Sequence, residues 1–316
     1  DKAGTSTITI DQAATTNYGP ATTLMKITVD PLPPNLSSPN YTVRYGDPPF
    51  SIINSVTTSS SGTFNFLGSS SIFTIDNSSG EITLTGSGVG TITILQNGDG
   101  CYGPEFITPS LTVLKGSCTL TSVNVTKTFG DLNFVLDNVT TSSSGSYAFT
   151  SNPAGILSIN NTSSVTSILK AGTTTVSVTQ FADGNYESST TSFTITIEKA
   201  DPVISAPDIT KLFTDSDFSI SLASSSTASF TYSTLSSGVV SLTSTGDVSI
   251  IGAGSIIVSA TQIQDINYNS KTVTFTITVG QGTQSVSWTP TSITRVYGDS
   301  QFYVSSPTYN GDYAGV

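Results

Sequence analysis

Lys127-Thr128-Phe129-Gly130-Asp131-Leu132-Asn133-Phe134 decides the fold, because its pattern returns at a fixed step. An aromatic residue, then Gly or Thr, then Asp recurs as Tyr45-Gly46-Asp47, Phe129-Gly130-Asp131, Phe213-Thr214-Asp215 and Tyr297-Gly298-Asp299, each 84 residues after the last. A phenylalanine follows each Asp by three positions, at Phe50, Phe134, Phe218 and Phe302. A second marker, a tyrosine after a Gly/Asp/Asn-rich loop, falls at Tyr18, Tyr102, Tyr186 and Tyr268, with steps of 84, 84 and 82. A third is an alternating closing segment such as Phe193-Thr194-Ile195-Thr196-Ile197 or Phe275-Thr276-Ile277-Thr278-Val279. Three markers in one register define a tandem array.

Within one period, residues 117–199, the pattern predicts seven short strands near 122–128, 133–139, 145–150, 156–160, 164–169, 173–180 and 190–198. Alternation in Thr173-Thr174-Thr175-Val176-Ser177-Val178-Thr179 marks one buried and one wet face. Turn formers separate the strands, at Ser142-Ser143-Ser144-Gly145, Asn160-Asn161, Ala171-Gly172 and Ala182-Asp183-Gly184-Asn185. Seven antiparallel strands in such a length predict an all-β fold of tandem immunoglobulin-like sandwiches. A β-solenoid is the alternative, but solenoid repeats are shorter.

The register divides the chain into five stretches: residues 1–29 as the end of one repeat, complete repeats at 30–115, 116–200 and 201–280, and the opening of another at 281–316. The linkers are short, and Pro31, Pro33, Pro34 and Pro202 stiffen two of them. The expected shape is a rod, gaining roughly 35–45 Å per repeat. Residues 1–29 and 281–316 do not add up to a whole repeat, so the chain reads as a window on a longer array.

Composition excludes several classes of function. The 316 residues include no histidine, two cysteines and one tryptophan, which removes imidazole-dependent triads and zinc or haem sites built on histidine. Charged residues are 10%, against a usual value of about 25%. The net charge of −11 speaks against a nucleic-acid partner, since phosphate contacts need clustered Lys and Arg. No apolar run is long enough for a membrane-spanning helix. The 53 Ser and 53 Thr accompany 36% apolar residues, a hydrophobic content that supports a folded core.

The recurring motifs have structural readings. Asp47, Asp131, Asp215 and Asp299 suit a tight turn in which the aromatic plugs the end of the core and the carboxylate accepts backbone N–H groups. Thr214 in place of Gly implies that this turn does not always need a left-handed residue. Asp99, Asp183 and Asp265 sit in the loop before each late tyrosine; they are Ca²⁺ candidates or Asx-turn residues, with one or two carboxylates per loop. Tyr18, Tyr102, Tyr186 and Tyr268 are expected to pack in the core and bond through their hydroxyls. Cys101 and Cys118 fall at opposite ends of a strand, so free or intermolecular thiols are expected. Seven Asn-x-Ser/Thr sequons, at Asn35, Asn40, Asn77, Asn124, Asn138, Asn160 and Asn161, are about what this composition yields by chance. Ser59-Ser60-Ser61 and Ser224-Ser225-Ser226 read as solvated loops. Lys127, Lys211 and Arg295 precede the turn aromatic by two, and Arg44 by one; arginine at two of these sites argues against a general Lys–Asn crosslink. No pair of carboxylates recurs in a glycosidase-like arrangement.

The sequence Thr126-Lys127-Thr128-Phe129-Gly130-Asp131 with Phe134, then Asp183-Gly184-Asn185-Tyr186 and Thr194-Ile195-Thr196-Ile197-Glu198-Lys199-Ala200, resembles bacterial immunoglobulin-like repeats. It is most similar to the MBG type, the mostly-β glycine-rich modules of large surface proteins. The resemblance extends over essentially the whole chain, with Thr214 and Cys101 as departures. It implies a non-enzymatic stalk or spacer in an extracellular adhesin or surface fibre, contacting neighbouring repeats and needing no cofactor. The alternatives are a subunit of a self-assembling extracellular filament or viral fibre, and repeats that themselves bind glycan or Ca²⁺.

Overall fold

The computed structural model describes residues 2–68, 70–235 and 238–310. Strands dominate it, and the second repeat shows how they arise. In Gly172–Gln180 and Ser189–Glu198, Val176, Val178, Phe193, Ile195 and Ile197 point inward while the alternate Thr and Ser face outward; Thr174 is the buried exception and donates to Pro153 O at 2.9 Å. The two strands pair antiparallel from Gly172↔Ile197 to Gln180↔Ser189. Tyr147–Asn152 extends this sheet on one side and Val125–Thr128 on the other, giving four strands. A second sheet of Phe134–Val135, Val165–Ile168 and Leu157–Ile159 closes over it. Leu136, Phe149, Ile156 and Leu157 join the inward residues of the long strands in one buried cluster.

The expected seven antiparallel strands need correction. The segment expected at 122–128 is two strands: Leu120–Ser122 pairs antiparallel with Val139–Thr141, whereas Val125–Thr128 runs parallel to the last strand. The chain crosses between sheets at Val123-Asn124, and Asn124 Oδ1 accepts the Thr194 N–H at 2.8 Å. Asn40 and Asp208 make the same bond to Ser110 and Thr276, at 2.9 and 2.7 Å. A short polar side chain thus satisfies a donor of the last strand where the crossing strand cannot. Two of the sequon asparagines are therefore crossing-point residues.

The other periods repeat the architecture. Ile209–Leu212 runs parallel to Ile277–Gly280, the end of the last strand, and Tyr41–Arg44 parallel to Leu111–Leu114. Their cores are separate clusters, one centred on Phe66, Ile82, Ile94 and Leu111, the other on Val248, Val258, Phe275 and Ile277. In the first repeat both long strands are interrupted, at Ile92 and at Thr108-Pro109, and the Ile92 N–H donates to Pro109 O. Residues 1–29 contribute an antiparallel hairpin, Gly4–Gln12 with Ala21–Val29. At the other end Ser285–Ser287 pairs with Thr308–Asn310. Among the described residues no helix is long and apolar enough to cross a membrane.

Each complete repeat also buries a glutamine. Gln96, Gln180 and Gln262 are fully buried at the end of the alternating strand. Gln180 Nε2 donates to Ser143 O at 2.9 Å and Gly145 O at 3.0 Å, and its Oε1 accepts from Thr141 Oγ1 and Cys118 Sγ. Gln96 reaches Ser60 O and Gly62 O, and Gln262 reaches Ser226 O and Ala228 O, in the same way. The amide thus replaces a missing strand partner for the serine-rich loop. Gln180→Ala strands two carbonyls in an apolar setting and is expected to cost about 1–3 kcal/mol, read as a lower urea midpoint for the second repeat with an unchanged m-value.

Candidate functional site: the junctions between repeats

The loops singled out in the sequence meet at the boundaries between repeats. In the second repeat, Asp183 Oδ1 accepts the N–H groups of Asn185 (2.8 Å) and Tyr186 (2.7 Å), which winds the loop into an Asx turn. Its other oxygen accepts the Ser143 hydroxyl and both the N–H and hydroxyl of Ser144, at 2.8–2.9 Å. One carboxylate thereby ties two loops together. Asp99 does the same with Ser60, Ser61, Cys101 and Tyr102. Asp265 uses Ser226, Asn267 and Tyr268. The serine stretches are therefore not simply solvated loops: Ser60, Ser143 and Ser226 are buried, each with its hydroxyl bonded to an aspartate.

The tied loop projects onto the preceding repeat. Tyr186 packs edge-on against Tyr45, with centroids 5.3 Å apart, and Tyr268 packs likewise on Phe129, at 5.5 Å. This corrects the expectation of core tyrosines. Tyr186 and Tyr268 lie between repeats, Tyr102 is half-buried beside the incoming chain at Leu32, and Tyr18 is 79% exposed. The reason is the Asx turn, which faces the ring away from its own sandwich. Beside the rings, Asn185 Oδ1 accepts the Ser87 N–H and Asn267 Oδ1 accepts the Ala171 N–H, both at 2.9 Å. The linker lysines complete the contact: Lys115 Nζ donates to Asp183 O and Lys199 Nζ to Asp265 O, both at 2.6 Å. The incoming chain is pinned by paired backbone bonds, Gly116 with Asn185 and Glu187, and Ala200 with Asn267 and Asn269. At Gly116 a Cβ would lie 2.3 Å from Tyr45 O, so this junction closes over a bare backbone.

The contact before the first repeat uses different residues. Pro31 stands where Lys115 and Lys199 stand later, and Cys101 where Asn185 and Asn267 stand. The Ala3 N–H there donates to Gly100 O at 2.7 Å. Cys101 is exposed, Cys118 is partly buried against Gln180, and neither forms a disulfide.

The Aro-Gly-Asp turns of the first and second repeats form the other side of the two junctions. Asp47, Asp131, Asp215 and Asp299 each accept, through Oδ2, the N–H three residues back at 2.8–3.0 Å. Their own N–H groups return a bond to the carbonyl of the same residue. Gly46, Gly130 and Gly298 have φ of 96°, 92° and 101°, whereas Thr214 is not among the residues with positive φ, yet the same two bonds form. Tyr45 and Phe129 touch both their own core and the next repeat; Phe213 is 39% exposed and Tyr297 fully exposed. Lys127, Lys211 and Arg295 lie over the rings of Phe134, Phe218 and Phe302, at 5.3, 5.1 and 4.5 Å, in cation–π contacts.

Sequence reasoning missed the junction asparagines and lysines and the buried glutamines. The glutamines were visible as a fourth periodic marker: Gln12, Gln96, Gln180 and Gln262 recur with steps of 84, 84 and 82.

No family model matches the chain, and no curated protein matches it. Among solved structures it is similar to Drosophila N-cadherin EC1-4, at 14% identity over 88% of this chain and 83% of that one, with a TM-score of 0.30. It is also similar to the I-band fragment I67-I69 from titin, at 13% identity over 80% and 99%, with a TM-score of 0.31. Sidekick-1 immunoglobulin domains 1-4 are similar at 8% identity over 88% and 94%, with a TM-score of 0.26. At these scores the likenesses carry no argument about ligand or activity. The all-β immunoglobulin-like organisation stands on the strand pairing itself.

Hydrogen bonds lower the junction aspartates, holding Asp183 and Asp99 well below the usual carboxylate range; the Ser144 and Tyr186 N–H groups lead at Asp183, the Tyr102 and Cys101 N–H groups at Asp99, and the Ser226 hydroxyl lowers Asp265. A carboxyl that titrates near 3.9 when unfolded and lower when folded stabilises fully above about pH 4 and loses that contribution as pH falls further. Asp183→Asn is expected to lower the thermal midpoint at pH 7 and to flatten its decline between about pH 4 and 2, as followed by circular dichroism.

Proposed function

We propose that this chain is a non-enzymatic run of spacer domains in the stalk of a long extracellular surface protein, built from repeats of the MBG type. The observation that carries this reading is that successive junctions use the same residues in the same roles: aromatic on tyrosine, asparagine on a backbone N–H, lysine on a carbonyl. Such contacts restrict bending between domains that a bare linker would leave free to pivot. The recurring aspartates support a structural role, since both oxygens of each junction carboxylate already accept protein hydrogen bonds.

Small-angle scattering of the full chain tests the spacer reading. The expected result is a thin rod with a maximum dimension above about 105 Å, three repeats of at least about 35 Å each; a compact globule overturns it. Tyr186→Ala combined with Lys115→Ala is expected to leave each repeat folded while broadening the distance distribution. Junction stiffness is expected to come from protein contacts alone, so EDTA should leave both the scattering curve and the melting temperature unchanged.

A further inference from the structure

The buried glutamine of the second repeat has a neighbour that its sisters lack. Leu32, Gly116 and Ala200 each bridge the late tyrosine of the repeat they enter, and two residues further on come Pro34, Cys118 and Pro202. In all three repeats the glutamine Oε1 accepts a hydroxyl, from Thr58, Thr141 or Ser224. In all three Nε2 donates to two loop carbonyls. Only the second adds a thiol: Cys118 Sγ lies 3.2 Å from Gln180 Oε1 and 3.4 Å from Thr141 Oγ1. Gln96 and Gln262 are fully buried without one, so neither the fold nor the amide calls for a cysteine here. A nucleophile thus lies against an amide carbonyl that is fully buried and polarised by a hydroxyl.

We propose that Cys118 and Gln180 form an internal thioester, which makes the second repeat an acyl donor toward primary amines. Cys118 Sγ attacks Gln180 Cδ; the S–Cδ bond forms, the Cδ–Nε2 bond breaks, and the thiol proton leaves with Nε2 as ammonia. No oxidant or further reactant enters, and dilution of the ammonia into solvent draws the exchange forward. Side chains fixed in contact react at an effective concentration far above that of free solutes. The Thr141 hydroxyl already donates to the oxygen that gains negative charge when Cδ becomes tetrahedral. Departure of Nε2 opens a place between Ser143 O and Gly145 O from which a water can donate to both carbonyls. Cys118 is partly exposed, so an amine approaches from its side. The amine nitrogen attacks Cδ, an amide bond forms, the S–Cδ bond breaks and a proton returns to Cys118 Sγ. An amide is far more stable than a thioester and an ester is not, which selects an amine over a hydroxyl.

Intact-mass analysis of the full chain in acid tests the proposal. The expected mass is lower than that of the sequence by one ammonia, and iodoacetamide in urea labels Cys101 alone. Methylamine is expected to raise the mass by one methylamine, to appear on Gln180 in the peptide map and to open Cys118 to iodoacetamide. The informative variant is Cys118→Pro, which carries the residue of both sister repeats; circular dichroism checks that it folds. It is expected to show its full mass and to take up no methylamine. Full mass in the wild type, or labelling of both cysteines from the outset, overturns the proposal. So does an ammonia loss that persists in Cys118→Pro, which would be a succinimide at an asparagine such as Asn97 before Gly98. A Cys118–Gln180 bond that methylamine does not open overturns the acyl-donor role. None of these outcomes bears on the rod dimensions, so the spacer reading stands or falls separately.

Discussion

The carboxylate at the head of each late loop is the interaction on which the arrangement depends. Asp183 binds five donors from two loops that are about forty residues apart in sequence. Without it, the serine loop would lose its anchor at one end and keep the Gln180 amide and the bonds between Thr119 and Ser142 at the other. The same carboxylate sets the Asn185 and Tyr186 backbone, and therefore aims the two side chains that meet the preceding repeat. Folding within a repeat and stiffness between repeats thus share one residue. An acceptor with charge suits this position, because charge-assisted bonds are about twice as strong as neutral ones.

The period, the all-β fold and most strand positions were legible, since alternation and turn residues are local signals. The expected strand at 173–180 differs from Gly172–Gln180 by a single residue. The strand break at Val123-Asn124 was not legible, because it depends on which sheet each half joins, and residues 122–128 alternate no differently across it. The tyrosines were found by their period but misplaced. Tyr186 meets Tyr45, 141 positions earlier, and Tyr268 meets Phe129, 139 positions earlier. A contact spanning more than one period leaves two separate periodic markers and no sign that they touch. Ser60 and Ser226 read as solvated for a similar reason: each is buried against an aspartate 39 residues further on, Asp99 and Asp265.

The scarcity of charge and the wealth of hydroxyls also become intelligible. A sandwich of about 84 residues has two outward faces, and the second and third repeats fill one of them with Thr and Ser that pair across strands. Cross-strand hydroxyl pairs support a sheet by a few tenths of a kcal/mol up to about 1 kcal/mol each. Lysines are instead concentrated where a cation has a defined partner, over a phenylalanine ring or against a junction carbonyl.

Topology carries a last consequence for a spacer. Because Val125–Thr128 runs parallel to the last strand, the chain enters the ladder at the end opposite to where it leaves. Tension between successive linkers therefore loads the paired residues Val125↔Ile195 to Thr128↔Glu198 along the strand direction, so that they bear it together. An antiparallel hairpin pulled at its two free ends would instead open one pair at a time. The parallel ladders of the first and third repeats, each of four residue pairs, have the same geometry. The strand crossing that the sequence pattern concealed is thus what allows the first strand to reach the last in parallel. It places Asn40, Asn124 and Asp208 at the start of each ladder, where their side chains bond the last strand directly.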